Sequence, residues 1–319
     1  MTQSDIKDRS GIDAPFPELV RCRPDRRVTG FAPSGKVRTH QFGTNHSVFR
    51  GRGMEFDESR AYQPGDDVRS IDWRVTARTG SLHTKLFHEE RERPVLILLD
   101  LRSSMRFGTR RQFKSSLASG VAARLAWTGI DGGDRVGGFI NAPGGVQVFP
   151  ASRNRAAMLR FLKAVSEHGR IGDAGEEPES PLYVTIDRMR KASRPGTLVF
   201  VISDFADFDD RCERSLKRIS LHAHVTNILI HDPLDAALPI NGGQKISDGQ
   251  SVTALSAIGR SGQKKHADSF ESRRSRLKVL CSNRGMAFLD LATGDEADEA
   301  LHPHRRNARA RSNSRRKAA

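Results

Sequence analysis

Three runs of aliphatic residues, two of them ending on an acidic residue, constrain this fold more than any other feature of the sequence. They are "RPVLILLD", which ends at Asp100, "GTLVFVISDF", which contains Asp204, and "AHVTNILIHDP". A continuous apolar run of this length is typical of a strand buried on both faces in a parallel sheet. Helical patterns lie between the runs, so the sequence predicts an α/β domain with a mostly parallel sheet and helices on both faces.

Helix and strand patterns fill the sequence between and around these runs. "RRQFKSSLASGVAARLAWTG" has apolar residues at four-residue steps, which predicts a helix closed by Gly129. "DRVGGFI" and "GVQVFP" predict two strands joined by a hairpin. "SRNRAAMLRFLKAVSEHG" predicts a helix with Ser152 as N-cap and Gly169 after its end. Further helices are expected in "PLYVTIDRMRKAS", "RCERSLKRISLH" and "SFESRRSRLKVLCSNRG", and a last strand in "MAFLDLA".

The sequence that precedes the α/β domain divides into two parts. Residues 1–45 are rich in Arg, Pro and Gly, and we expect them to form a flexible basic leader. Residues 46–93 contain short alternating segments cut by Gly and Pro, which predict a small β-rich module. Within this module "DVRSIDWRV" alternates like a strand, and we expect Arg69, Asp72 and Trp73 to be structural, fixing the module onto the α/β domain through buried polar pairing.

The formal net charge of the chain is +15, and much of it is concentrated at the C-terminus. We expect the α/β domain to cover residues 94–301 and a disordered basic tail to cover 302–319, because such a tail cannot bury apolar surface. The tail could contact RNA, DNA or anionic lipid through non-specific charge. A nucleic-acid-associated basic protein is therefore one alternative function.

The location of the protein is predicted from what the sequence lacks. It has no apolar stretch near the roughly 18 residues that span a bilayer, and its N-terminus lacks the apolar centre of a secretory signal. Cys22, Cys212 and Cys281 are far apart and odd in number, so the sequence supports neither a disulfide framework nor a zinc motif. We therefore expect a cytoplasmic protein with no transmembrane segment.

One long stretch of the sequence resembles a known family. It is "GRGMEFDESRAYQPGDDVRSIDWRVTARTGSLHTKLFHEERERPVLILLDLRSSMRFGT", and "GDRVG", "LVFVISDF" and "HDPLDAALP" follow at comparable places. The chain resembles the DUF58 family, of the MoxR-associated type, over roughly residues 46–301. The resemblance implies a von Willebrand factor A-like, Rossmann-like core. It also implies a non-enzymatic protein-interaction or adaptor module that acts with a MoxR-type AAA+ ATPase in a chaperone-like role.

The acidic residues at the strand ends form the candidate site. Because the carboxyl ends of parallel strands lie at one edge of a sheet, we expect Asp100 and Asp204 to lie close together. A-type domains carry a metal-ion-dependent adhesion site, D-x-S-x-S, completed by a threonine and a second aspartate from other loops. Asp100, Ser104 and Asp204 match that pattern. Thr185 and Ser180 are the nearby candidates for the threonine.

Arg102 stands where this pattern has its first serine. A guanidinium has no lone pair to give to a metal, but it can form forked hydrogen bonds to carboxylates. We therefore expect Arg102 to replace the ion beside Asp100 and Asp204, which makes the site degenerate. Binding of Mg²⁺ is one alternative, and a purely structural role of the acids in capping loops or helix N-termini is the other. A partner's carboxylate is expected to bind at this edge, either through the ion or through Arg102 and Ser103.

The sequence allows two other chemical interpretations, one at the same strand ends and one at a pair of histidines. A phosphatase of the haloacid-dehalogenase type would use Asp100 as nucleophile and Ser203 to hold the phosphoryl group. Its acid/base aspartate would have to stand at Arg102, so this function is a remote alternative. His222 and His224 alternate on a predicted strand, but two histidines without a third ligand do not define a metal site.

Overall fold

The structure is a computed structural model of the chain, and it describes residues 11–24, 28–31, 37–39, 54–64, 66–89, 93–109, 111–170, 177–239, 245–247, 252–254 and 258–300. By their contacts these residues separate into two compact units. One lies within His40–Glu92, and the other lies within Met1–Thr39 and Arg93–Ala319. The predicted tail, 302–319, lies outside the described residues.

The secondary structure of the described residues follows the chain as a series of strands and helices. The strands are β1 Val28–Phe31, β2 Val37–Thr39, β3 Met54–Ala61, β4 His83–Glu89, β5 Pro94–Asp100, β6 Arg135–Ala142, β7 Gly145–Ser152, β8 Leu198–Ser203, β9 His224–His231, β10 Lys245–Ser247, β11 Val252–Ala254 and β12 Ala287–Ala292. The α-helices are α1 Phe16–Arg21, α2 Trp73–Thr79, α3 Lys114–Asp131, α4 Arg155–His168, α5 Leu182–Ala192, α6 Asp210–Ile219, α7 Pro233–Ala236 and α8 Arg260–Asn283.

The larger unit is built on a six-stranded sheet with the strand order β12-β9-β8-β5-β6-β7. All neighbouring pairs are parallel except β6 and β7, which form the predicted hairpin at one edge. The order of the strands reverses between β5 and β8, as in doubly wound α/β folds. This topology confirms the predicted fold class. It also places the ends of β5 and β8 beside the crevice where such folds bind ligands.

Helices cover both faces of this sheet, and alternate residues of β5 belong to different cores. Val95, Ile97 and Leu99 pack in one cluster, whereas Leu96 and Leu98 pack in the other. The first cluster includes Leu19, Leu117, Val121, Leu125, Met158, Phe161 and Leu162 from α1, α3 and α4. The second includes Leu182, Ile186, Met189, Leu216, Ile219, Leu277 and Leu280 from α5, α6 and α8. Burial on both faces explains why the β5 sequence is apolar without interruption.

Two predicted helix ends were wrong. Helix α3 continues through Gly129 to Asp131, with Gly132 as its C-cap. A side chain at position 129 would bring its Cβ within 2.7 Å of the Val136 side chain, so this glycine allows helix and strand to pack closely. Helix α4 is capped by Asn154, whose side chain accepts a hydrogen bond from Ala156 N, and not by Ser152.

Part of the predicted leader belongs to the α/β unit. Helix α1 lies within residues 1–45, and its Leu19 is buried in the core. The indole nitrogen of Trp127 donates a hydrogen bond to the Leu19 carbonyl at 3.2 Å. The expectation of a flexible leader is therefore wrong for this helix, because its apolar side chains supply part of the core.

The smaller unit contains the antiparallel pair β3 and β4, as the β-rich module predicted, but "DVRSIDWRV" is not a strand. Its residues form a 3₁₀ turn at Val68–Ser70 and then begin helix α2. The buried Asp72 carboxylate caps this helix by accepting hydrogen bonds from Arg74 N and Val75 N. Arg69 and Trp73 are exposed, so the expected burial holds only for Asp72.

Candidate functional site

The carboxyl ends of β5 and β8 form an edge that we call the strand-end rim, comprising residues 100–104 and 203–207. The structure brings the predicted acidic residues together here. Ser203 Oγ donates a hydrogen bond to Asp100 Oδ2 at 2.7 Å. Ser104 Oγ donates to Asp204 Oδ1 at 3.3 Å. Residues a hundred positions apart therefore share one site, because parallel strand ends lie side by side.

Arg102 forms two forked ion pairs at this rim. Its Nε and Nη2 donate to the two oxygens of Asp100 at 2.9 and 2.7 Å. Its Nη1 and Nη2 donate to the two oxygens of Asp207 at 2.8 and 2.9 Å. The sequence placed Arg102 beside Asp100 and Asp204; in the structure the second carboxylate that Arg102 binds is Asp207. A planar guanidinium suits such two-pronged contacts with carboxylates, and a lysine could not reproduce them.

The buried charges of this fork shift one another's ionisation. Burial raises the pKa of the Asp100 carboxyl, and the hydrogen bonds from Arg102 oppose that shift. Burial also acts to lower the pKa of Arg102, but Asp100 and Asp207 together raise it, so the guanidinium stays charged. For Asp207 burial alone would raise the pKa, yet Arg102 and Leu182 N lower it. The rim thus holds a permanent cation between two carboxylates.

Asp204 has a cation of its own. The Lys114 ammonium lies 2.9 Å from Asp204 Oδ2 and 3.1 Å from Asp235 Oδ2. Lys114 is the first residue of α3 and is only 4% exposed. Burial acts to lower its pKa, but the two carboxylates raise it. The sequence analysis missed Lys114; the signal was a cation at a helix N-terminus, where the helix dipole disfavours it.

The backbone after β8 directs these side chains. Phe205 has a φ of 49°, a conformation that bulky residues rarely adopt. Ser203 Oγ accepts a hydrogen bond from Phe205 N at 2.9 Å, and the Phe205 ring is fully buried. The ring also packs edge-on against Phe208, with centroids 6.1 Å apart. These contacts stabilise the turn between Asp204, which pairs with Lys114, and Asp207, which pairs with Arg102.

The residues of the rim do not fit the Mg²⁺ ion that the resemblance implies. Both oxygens of Asp100 already accept from a guanidinium, and Asp204 is paired with Lys114. No hydrogen bond joins Thr185 or Ser180 to either aspartate within the described parts of the chain. Nor do those parts hold a group of three or more His, Cys, Asp and Glu side chains arranged for a metal. Two fixed cations occupy the places where a dication would have to bind its ligands.

A carboxylate from the same chain binds at Ser103. Glu179 Oε1 accepts hydrogen bonds from Ser103 N at 2.7 Å and from Ser103 Oγ at 2.6 Å. Both residues are exposed. This contact was not predicted, because 76 residues separate its partners and only the acidic sequence "GEEPES" hinted at it. It shows that this loop presents two donors to one carboxylate oxygen.

The other candidate chemistries find no support in this geometry. Asp100 is 0% exposed and its oxygens are engaged by donors, including Ser203, so in-line attack on a phosphate ester is obstructed. His224 begins β9, at the opposite end from the rim. His222 Nε2 lies 2.7 Å from Ser193 Oγ. The two histidines are therefore remote from the strand-end rim.

Comparison with known proteins gives a family and several relatives. A family model described as "Protein of unknown function DUF58" matches residues 58–275. Uncharacterized protein Mb1516 of Mycobacterium bovis and uncharacterized protein Rv1480 of Mycobacterium tuberculosis are each 32% identical over 209 residues, which is 66% of this chain. The match spans 65% of the length of these relatives.

Solved structures with some likeness to the chain include the following two. A conserved hypothetical protein, BatB from Bacteroides thetaiotaomicron, has 17% identity and a TM-score of 0.41, covering 69% of this chain and 99% of that one. The SpRpn10 VWA domain has 12% identity and a TM-score of 0.36, covering 66% of this chain and 94% of that one. Separately, a search of the described residues finds no helix with the length and apolar character that crossing a membrane requires.

Proposed function

The chain belongs to the DUF58 family, and from the geometry of its strand-end rim we propose that it is a non-enzymatic protein-interaction module that binds an acidic side chain of a partner. The family is described only as one of unknown function, so we base the proposed function on the contacts of the rim. Ligands of doubly wound α/β folds bind at this edge. A protein partner fits because Ser103, an exposed residue of the rim, directs two hydrogen-bond donors at one acidic group.

The contact between Ser103 and Glu179 is the observation that carries the proposal. A backbone N–H and a hydroxyl converge on one carboxylate oxygen, which is a strong arrangement for an acidic group. Glu179 and Ser103 are both exposed, so an acidic side chain from another protein could replace Glu179. The chain thus carries, in its own sequence, an example of the group that we propose it binds.

The proposed recognition requires no metal. In the adhesion site that the rim resembles, the ion supplies the positive charge that attracts the partner's carboxylate. Here the donors open to a partner's carboxylate are those of Ser103, whereas Arg102 and Lys114 are buried cations that each bind two carboxylates of the chain. Because their carboxylate partners are also fixed, the site is preorganised and loses little freedom when a partner binds. We therefore propose a degenerate adhesion site that works without Mg²⁺.

The partner and role that the resemblance implies are part of the proposal. We propose a MoxR-type AAA+ ATPase as the partner and an adaptor function in a chaperone-like role. A loop that receives an acidic side chain suits a partner that changes conformation during its own catalytic cycle, because such a contact can form and break. Any other protein that presents a carboxylate would use the same donors.

The test is quantitative binding of the full chain to a MoxR-type ATPase in the presence of EDTA. Ser103→Glu places a negative charge where the partner's carboxylate would bind, and we expect it to weaken binding at least about tenfold. Ser282→Glu is the matched control, since Ser282 is an exposed serine at the far end of α8. Equal affinity of the two variants would contradict the rim as the interface. Binding that EDTA abolishes would contradict metal independence.

A nucleic-acid-associated function is the second candidate, favoured by the charge of helix α8. Arg260, Lys264 and Lys265 are exposed on its first turns, and the net charge of the whole chain is +15. Such binding depends on phosphate contacts and weakens steeply with salt. Fluorescence anisotropy with single-stranded RNA at two salt concentrations tests it. Affinity that survives high salt, or no affinity at low salt, would exclude this candidate.

A further inference from the structure

A cleft beside Asp204 extends the strand-end rim towards helices α7 and α8. We call it the α7–α8 cleft and define it by Phe107, Leu234, Leu238, His266 and Arg273, which line it together with the Lys114–Asp204 pair. Its volume is about 320 Å³, close to the lower end of the range for ligand pockets. This is room for one large side chain rather than for a cofactor.

The walls of the cleft combine apolar surface with one uncompensated cation. Phe107, Leu234 and Leu238 are only partly buried, so their apolar surfaces face the cleft. Arg273 Nε is buried and has no hydrogen-bond acceptor in the described parts of the chain. A donor withdrawn from water without an acceptor is unusual in folded proteins. The Arg273 Nε–H is therefore available to an acceptor on an occupant of the cleft.

The neighbouring arginines of α8, unlike Arg273, are paired with carboxylates. Arg274 pairs with Asp290, and Arg276 pairs with Glu213 and Asp210. Arg273 lies instead 5.8 Å from the centroid of the Phe270 ring, a contact that leaves its N–H groups available.

The opposite wall of the cleft carries one cation and two carboxylates. Lys114 is held by Asp204 and Asp235, so it does not call for a further anion. An occupant with a negative group is therefore complementary to the Arg273 end alone, while its apolar part faces Phe107 and Leu238. A basic occupant would meet Arg273 unfavourably.

We propose that the α7–α8 cleft binds a partner segment in which a large apolar side chain stands next to a carboxylate. The apolar side chain fills the space between Phe107, Leu234 and Leu238, and the carboxylate accepts from Arg273. The inference rests on the proposed function, since it takes the occupant to be part of a protein. It adds a specificity element that the rim lacks: Ser103 recognises any exposed acid, whereas this cleft selects an acid that has an apolar neighbour.

The experiment uses 4-phenylbutyrate as a probe that combines an aromatic ring with a carboxylate. The full chain is labelled at its leucine methyl groups, and the probe is titrated by NMR. We expect saturable shifts at Leu234 and Leu238 and no comparable effect of 4-phenylbutylamine, which carries the opposite charge. Arg273→Gln should weaken the probe's affinity about tenfold, the effect of losing a charge-assisted hydrogen bond. Lys278 is an exposed cation of the same helix that forms no ion pair with the residues the structure describes, and Lys278→Gln should leave the affinity unchanged.

Three results would overturn the inference. They are shifts that appear away from the cleft, equal affinity for the acid and the amine, and an Arg273→Gln variant that binds like the parent chain. A Ser103→Glu variant separates this inference from the proposed function, because Ser103 does not line the cleft. If that variant still binds the ATPase and the probe still binds at Leu238, the proposed contact at Ser103 is wrong and the inference about the cleft is supported. If the variant loses the ATPase and the probe does not bind the parent chain, the contact at Ser103 is supported and the inference about the cleft is wrong.

Discussion

The stability of the protein should depend strongly on the guanidinium of Arg102. Arg102→Met keeps most of the apolar stem and removes the charge that pairs with Asp100 and Asp207. Asp100 is 0% exposed, so its charge would be left in the core with only Ser203 and one backbone N–H as donors. Removing one partner of a buried ion pair costs about 3–5 kcal/mol. We expect about 3 kcal/mol, since those two donors remain and Asp207 is partly exposed.

The stability lost in Arg102→Met should depend on pH, in a direction set by the pKa of Asp100. Without Arg102 the pKa of Asp100 in the folded protein rises further above its unfolded value of about 3.9. The folded variant then binds a proton more tightly than the unfolded chain does, so its stability increases as the pH falls. The deficit of the variant should therefore be smaller at about pH 5 than at about pH 7.

Urea unfolding of the full chain at both pH values is the assay. Arg106→Met is the matched control, since Arg106 lies in the same loop and makes no ion pair with the described residues; it should change stability by less than about 0.5 kcal/mol. The double variant Arg102→Met/Asp100→Asn should recover at least half of the loss, because position 100 then no longer carries an unpaired charge in the core. A loss below about 1 kcal/mol, or one that is independent of pH, would refute the view that Arg102 neutralises Asp100 in the core.

Three further predictions concern the same edge of the sheet. Glu179→Ala removes the internal competitor at Ser103, so affinity for the MoxR-type ATPase in a binding titration should increase roughly threefold; an unchanged affinity would mean that Glu179 does not compete. Lys114→Met leaves Asp204 without its cation and should cost about 3 kcal/mol in urea unfolding, and a cost near zero would show that the pair contributes nothing. The pKa of the folded Asp232 carboxyl is lowered, because its hydrogen bonds outweigh the effect of burial. Its contribution to stability is therefore complete above the pKa of the unfolded chain, about 3.9, and is lost as the pH falls through the lower pKa of the folded protein. Asp232→Asn should accordingly destabilise less at about pH 3 than at about pH 7 in the same assay, and an equal effect at both would contradict this assignment.

The parts of the fold that burial determines could be predicted from the sequence. The apolar run of β5 specifies a strand buried on both faces, and the alternation of such runs with helices specifies the parallel sheet. That sheet brings Asp100 and Asp204 to one rim, and the chemistry of the guanidinium predicts the fork between Arg102 and Asp100. Each of these predictions follows from strand burial, sheet topology or guanidinium geometry, none of which depends on the conformation of the loops.

The parts that loops and caps determine could not be predicted in the same way. The choice of Asp207 over Asp204 depends on the left-handed backbone of Phe205, which no sequence period encodes. The contact between Ser103 and Glu179 depends on where a long connection passes over the sheet. The alternation of "DVRSIDWRV" predicts a strand, but Asp72 and Gly80 are the N-cap and C-cap residues of a helix, and residues of these types signal helix ends.

Calorimetric titration of Mg²⁺ into the full chain tests the central claim most directly, namely that Arg102 and Lys114 take the place of the ion. The predicted result is no saturable heat for the natural chain at millimolar Mg²⁺, with binding gained only when Arg102→Ser restores the serine of the adhesion-site pattern. Stoichiometric binding of Mg²⁺ by the natural chain, abolished by Asp100→Asn, would contradict the account.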